Sequence, residues 1–311
     1  MTNKSRLKQI LQQGHFAVTS ECGPPKGADP KVIQEKGNLL KNSVDSINIT
    51  DNQTAVVRLS SLASCMLLKA EGMDPVLQMV TRDRNRIALQ SDILGASALG
   101  IRNILCLTGD HQCFGNQPEA KGVFDIDSIQ LIQLARMMRD DGVILGGDKL
   151  SAAPDFFIGA VENPFADPLN YRASRLAKKA AAGAEFIQTQ CIYNIARFKE
   201  WMKQVRDLGT DKKLYILGGI TPLKSARVAE YMSKNVAGMD VPDSIINRMK
   251  SVPSGDQRKE GLKIAIETIQ ELKQIEGVSG VHIMAIEWED AVPEIVKEAG
   301  LSPRPQVQEG N

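Results

Sequence analysis

Short runs of apolar and β-branched residues alternate along this chain with longer stretches whose apolar positions recur at a helical period. Eight runs read as strands: residues 15–22 (HFAVTSEC), 44–50 (VDSINIT), 75–81 (PVLQMVT), 101–109 (IRNILCLTG), 156–161 (FFIGAV), 184–191 (AEFIQTQC), 213–220 (KLYILGGI) and 280–288 (GVHIMAIEW). Near-continuous apolar strands predict burial on both faces, as in a parallel sheet covered by crossover helices. The segments between them, such as DSIQLIQLARMMRDDG and YRASRLAKKAAAG, carry helical periodicity, and several end at a glycine suited to a left-handed C-cap. Before the last strand, a long helical stretch is broken at Pro253-Ser254-Gly255, which predicts an extra short helix followed by the eighth barrel helix. Eight such units favour a closed barrel over an open sheet. The expected fold is therefore α/β, a single-domain (β/α)8 TIM barrel over residues 1–301, with 302–311 as a loose polar tail.

Composition adds exclusions. The chain has 311 residues, enough for one large barrel domain, and its 42% hydrophobic and 24% charged content is that of an ordinary globular protein. The 38 Lys+Arg against 37 Asp+Glu leave a net charge of +1, so no global field favours nucleic acid or an anionic membrane. The opening MTNKSRLKQILQQGHF lacks the apolar core of a signal peptide, and no apolar run spans a bilayer, so a cytoplasmic location is expected. Five scattered cysteines without a CxxC pair argue against a disulfide framework and a chain-encoded zinc or iron–sulfur site. The three histidines, His15, His111 and His282, have no metal-ligand spacing, and GxGxxG is absent, so no Rossmann nicotinamide site is expected.

In a barrel of this kind the chemistry sits at the C-terminal ends of the strands. The polar residues there are Glu21, Thr50 with Asp51, Thr81 with Arg82, Asp110, Glu162, Gln190, Gly218-Gly219 and Glu287. Glu21 precedes Cys22-Gly23-Pro24-Pro25 with few cations nearby in sequence, so it is either a solvated loop carboxylate or an acid whose pKa desolvation raises. Asp110 follows a glycine in LCLTGD and reads equally as a ligand group and as a turn aspartate bonding its own backbone. Gln190 offers a donor and an acceptor to a heterocycle such as a pterin, and it shares a side of its strand with Gln188, which also permits a plain interior glutamine network. Lys178 and Lys179, on charge alone, read as a solvated helix face.

Taken in order, VTSECGPPKG, SINITDN, TRDRN, ILCLTGD, KKAAAGAEFIQTQ, ILGGITP and GVHIMAIEW resemble the methylenetetrahydrofolate reductase family, from about residue 15 to 301. The resemblance implies a barrel holding a flavin, FAD or alternatively FMN, that passes hydride to the methylene carbon of 5,10-methylenetetrahydrofolate and yields 5-methyltetrahydrofolate. It implies that Glu21 is the catalytic acid that protonates N10, and that Asp110 lies beside the flavin and the pterin, where its charge stabilises the iminium. It likewise assigns Thr50, Thr108 and Gly109 to the flavin, Gln190 to the pterin, and Lys178 and Lys179 to the flavin phosphates. The chain departs from the family where Cys22-Gly23 replaces an aromatic pair, Gln78 and Glu162 stand at flavin-side positions where histidines are usual, and Trp288 stands near a folate-binding arginine. The electron donor implied is NAD(P)H or an iron–sulfur or zinc partner subunit, in an oligomer or hetero-complex. A flavin-free pterin-binding methyltransferase barrel and a non-catalytic barrel scaffolding a redox partner are the alternative readings.

Overall fold

The computed structural model describes residues 4–307. Eight parallel strands close into a barrel in sequence order: β1 (Ala17–Cys22), β2 (Ser46–Ile49), β3 (Pro75–Val80), β4 (Asn103–Leu107), β5 (Phe157–Glu162), β6 (Phe186–Cys191), β7 (Tyr215–Ile220) and β8 (Val278–Ile283). Closure runs through β8 and β1, from Ala17 opposite Gly280 to Ser20 opposite Ile283. The helices are α1 (Arg6–Gln12), α2 (Pro30–Leu40), α3 (Ser61–Ala70), α4 (Arg86–Ala98), α5 (Ser128–Asp140), α6 (Arg172–Ala182), α7 (Ile195–Asp207), α8 (Ala226–Asn235), α9 (Asp243–Lys250), α10 (Gln257–Leu272) and α11 (Val292–Glu298). This is the (β/α)8 barrel expected. Among the described residues no helix is long and apolar enough to cross a membrane.

Local signals set most helix ends. Asp127 and Gln130 form a reciprocal capping box at the start of α5. Gly183, at φ +120°, ends α6 and donates its N–H to Lys179 and Ala180 carbonyls. The break at Pro253 separates the expected short helix, α9, from α10 by a 3-10 turn at Ser254–Asp256. In the order of crossovers α10 is the seventh, joining β7 to β8, and α11 completes the ring after β8.

The last strand is shorter than its apolar run. It ends at Ile283, so Glu287 stands beyond it, exposed and at φ +51° rather than at a strand end. The run stays apolar because Ala285 packs into the shell between barrel and helices, and that burial needs no ladder hydrogen bonds.

Two apolar layers hold the barrel. Outward strand residues such as Val18, Cys22 and Ile104 pack under the helices. Inward residues, including Val76, Leu105, Phe157, Phe186 and Leu217, fill the lower bore, and Leu7, Ile10 and Leu11 of α1 seal it from the N-terminal side. The polar opening of the chain is thus a plug. Phe157 and Phe186 stack with centroids 4.8 Å apart, and Phe186 has room because Gly159 faces it: a Cβ there would lie 2.2 Å from the ring. Above them a polar layer crosses the bore. Asn48 Nδ2 donates to Gln188 Oε1 at 2.6 Å, Gln188 Nε2 returns a bond to Asn48 Oδ1 at 3.0 Å and reaches Thr19 Oγ1 at 3.1 Å, and Thr19 meets His282 Nδ1 at 2.9 Å. Gln188 therefore does belong to an interior amide network, satisfied on each side.

Residues 302–307 are tied down, where a loose tail was expected; residues 308–311 lie outside the described residues. Arg304 is buried against Asp45, with Nη2 to Oδ2 at 2.5 Å, and donates to the carbonyls of Leu301 and Phe16. Asp45 also accepts from the Val18 N–H at 2.8 Å, so this pair anchors the start of β1. Removing one partner of a buried pair leaves the other uncompensated. Arg304→Ala should lower unfolding stability by about 3 kcal/mol in urea titrations, and a loss under about 0.5 kcal/mol, the level of an ordinary surface change, would contradict this account.

Candidate active site

Strand alternation points Thr19 and Glu21 into the bore and Ser20 and Cys22 away from it. Glu21 reaches a cavity of about 430 Å³ at the C-terminal mouth, a volume within the range of small-molecule sites. Its position follows from the barrel. Cys22 points into the outer core, and Gly23 faces the Gln53 side chain, where a Cβ would lie 3.0 Å from Oε1.

Of the residues singled out in the sequence, the cavity brings together Glu21, Gln78, Thr108, Gly109, Asp110, Glu162, Lys179 and Gln190. Thr50 is set behind the wall: its hydroxyl is buried and donates at 2.6 Å to Gln53, which does line the cavity. Lys178 is not brought to it. Adjacent residues on a helix project about 100° apart, and Lys178 turns outward onto Tyr171, 2.9 Å from the hydroxyl and 5.1 Å from the ring centroid. The residue that shares the inner face of α6 with Lys179 is Arg175, four positions earlier, and it lines the cavity. That spacing was readable in RLAKK. Trp288 is not on the cavity wall; Arg258 lies over its ring at 5.6 Å.

Burial pushes the Glu21 carboxyl up to about 7, and the negative charge of Glu289 adds to the shift. Glu289 sits in a 3-10 turn after β8, mostly buried, 2.6 Å from Lys36 of α2. Neither was singled out from the sequence. They are separated by 253 positions, and no local pattern links them.

Asp110 bonds a neighbouring loop instead of its own turn. Its Oδ2 accepts the Thr54 N–H at 3.1 Å, tying the loop after β4 to the loop after β2 across the mouth. Arg82 reinforces this tie from beneath: it is buried and donates to the carbonyls of Asp110 and Asn52 at 3.1 and 3.2 Å. Gly109, at φ +89°, turns the chain so that Asp110 overhangs the cavity, and a Cβ there would press on Val80 at 3.1 Å.

Opposite, Glu162 is buried among cations, with Lys179 at 2.9 Å, Arg175 at 3.5 Å and Arg172 at 3.8 Å. Burial lowers the Lys179 pKa, and the Glu162 charge opposes that. Gln190 Oε1 accepts the Cys191 N–H at 3.0 Å, which orients the amide at the wall. Val80, Leu105, Leu107 and Val161 give an apolar face, the amides of Gln78, Gln190 and Asn163 stand at its edge, and Arg175 with Lys179 offers cationic donors.

A (β/α)8 barrel whose C-terminal mouth holds a carboxyl raised toward neutrality, in a cavity lined by apolar, amide and charged side chains, is the class of protein that fold and site define. The model of the methylenetetrahydrofolate reductase family matches residues 6–300, and the chain belongs to that family. It is 25% identical to a probable methylenetetrahydrofolate reductase (NADPH) of Caenorhabditis elegans, over 95% of this chain and 44% of that protein. It is also 25% identical to methylenetetrahydrofolate reductase 2 of Schizosaccharomyces pombe, over 76% and 37% respectively. The chain thus spans less than half the length of these curated relatives. Among solved structures, an uncharacterized Clostridium thermocellum protein that binds two copies of 5-methyl-5,6,7,8-tetrahydrofolic acid shares the fold, with a TM-score of 0.62 at 16% identity, covering 95% of this chain and 98% of that one.

The raised Glu21 pKa has a consequence for folding. The folded state holds this proton more tightly than an unfolded carboxyl at 4.5 does, so stability falls as pH rises from about 4.5 through about 7. Glu21→Gln removes that loss and should stabilise the protein at pH 8, by about 1–3 kcal/mol after allowing for solvent, with little effect at pH 4. Calorimetric Tm values at the two pH values check this, and equal shifts at both would refute it.

Proposed function

We propose that this chain is a flavin-dependent methylenetetrahydrofolate reductase that converts 5,10-methylenetetrahydrofolate to 5-methyltetrahydrofolate. The observation that carries the reading is Glu21, a strand-end carboxyl held up to about 7 at the wall of a cavity suited to a flat heterocycle. Family membership supports it.

The apolar face, the Gln78 edge, the Thr108-Gly109 turn and the Arg175–Lys179 cations would hold a flavin, FAD or FMN, with Glu162 placing Lys179. Bound there, the flavin would supply the hydride. Glu21 donates a proton to N10 of the folate, so that the five-membered ring opens to an iminium at N5. Asp110 lends its negative charge to the cation as it develops. Gln190 pairs its amide with the pterin edge, and the packed barrel fixes these groups relative to one another. Electrons come from NAD(P)H or from an iron–sulfur or zinc partner subunit; stopped-flow mixing of the flavin-loaded chain with NAD(P)H separates the two.

The test is direct. Purified chain should show or take up flavin absorbance bands and reduce 5,10-methylenetetrahydrofolate with reduced viologen as donor. Glu21→Gln should keep flavin binding and lose folate turnover by about 10²- to 10⁴-fold, the usual weight of general acid catalysis. No flavin uptake would favour the flavin-free methyltransferase barrel, and flavin uptake without folate reduction would favour a scaffold. Asp110→Asn should shift the flavin reduction potential, measured by dye equilibration; an unchanged potential removes Asp110 from the ring's surroundings.

A further inference from the structure

Behind Glu21 lies a second cavity, of about 190 Å³, that shares only Glu21 and Gln53 with the larger one. Lys36, Arg58 and Glu289 stand on its wall, and it borders Gly23, so the absence of a side chain there helps to shape it. Lys36 Nζ donates to Glu289 Oε1 at 2.6 Å and lies 3.4 Å from the Gly23 carbonyl, which ties the pair to the loop leaving β1. Both side chains are mostly shielded from solvent, at 24% and 9% exposed, so the Glu289 charge, paired to Lys36, acts on Glu21 through little water.

Other titratable and charged groups surround Glu21 without taking this role. On the small cavity, Arg58 directs one guanidinium nitrogen to the Pro24 carbonyl at 3.0 Å, and Glu287 is exposed. His282, on β8, is pushed down to about 3 by burial and is neutral. The Cys22 and Cys191 thiols are pushed up to about 12 and are neutral as well. Across the large cavity, Asp51 pairs with Arg84, Glu162 with Lys179, and Asp110 with the Thr54 N–H, while Arg82 is engaged by Asp83. Apart from burial, Glu289 is the group that moves Glu21.

We propose that Glu289 and Lys36 form a positioning pair for the acid: Glu289 turns negative charge toward Glu21 and so retains its proton between turnovers, and Lys36 limits how much of that charge Glu21 feels. The pair touches neither folate nor flavin and acts only through Glu21. After Glu21 gives its proton to N10 it is a carboxylate beside Glu289, and the repulsion between the two favours recapture of a proton from water. Lys36 keeps the repulsion below the level at which Glu21 would never release its proton. The purpose of the pair rests on the reductase reading; its electrostatics do not.

The test titrates Glu21 directly. In the full chain with 13C-labelled glutamate carboxyls, the Glu21 resonance is the one lost in Glu21→Gln, and it should titrate near neutrality. Glu289→Gln should lower that midpoint by about one pH unit, and Lys36→Met should raise it by a similar amount, as expected for a neighbouring charge removed or uncovered. The pH profile of folate turnover should move with each midpoint. Opposite shifts from two substitutions in one contact cannot come from loosened packing alone. An unmoved midpoint in Glu289→Gln, or shifts of the same sign in both variants, overturns the pair. If both shifts are seen in a chain that reduces no folate, the pair stands and the reductase reading falls; if folate turnover needs Glu21 but neither midpoint moves, the reverse holds.

Discussion

The fold depends on β8 meeting β1. Closure leaves no strand edge and forces every other residue of each strand into a bore just wide enough for side chains to fill. The lower bore is met by apolar side chains and the α1 plug, and the middle by the Asn48–Gln188 amide pair with Thr19 and His282, where every donor brought inward finds an acceptor. Only at the C-terminal mouth does the filling stop. Glu21, Gln78 and Gln190 are the next inward residues up their strands, so they face open space because the layers beneath them are complete.

Placement at that mouth changes the ionisation and the partners of ordinary residues. Glu21 keeps its proton to about 7 because the barrel withholds water and Glu289 adds charge. Lys179, from a helix of cations, is drawn under the strand ends by Glu162, while Lys178, one position earlier, remains at the surface with Tyr171. Asp110 and Arg82 hold the loops after β2, β3 and β4 against one another, so the rim is cross-braced by hydrogen bonds between connections that are distant in sequence. At the barrel's N-terminal end the Arg304–Asp45 pair fastens the residues after α11 to the start of β1.

What the sequence determined by itself was whatever repeats locally. Strand period, helix period and caps are properties of neighbouring residues, and they suffice to count eight βα units, to set Glu21 one residue short of the end of β1, and to turn Gln188 and Gln190 the same way. The order of motifs along those units points to the family, and the family match over residues 6–300 agrees with it. Local signals also mislead where burial has more than one cause. The run through Trp288 is apolar beyond the end of β8 because Ala285 enters the outer core, and the polar residues after Leu301 are pinned by Asp45, just before β2, a partner that no local pattern reveals.

The tertiary structure alone decided which charges meet. Electrostatic energy follows distance in space, and chain closure makes neighbours of Lys36 and Glu289 at 2.6 Å although 253 positions separate them. The pairing of Arg175 with Lys179 was already in the helical spacing of the sequence, and the fold decided only that this face of α6, not the one with Lys178, turns to the cavity. A strand-end carboxylate was legible in the sequence. That its pKa is raised toward neutral, with a small cavity bordered by Gly23 and a largely shielded ion pair behind it, is a property of the closed barrel, because desolvation and charge proximity exist only once the strands have met.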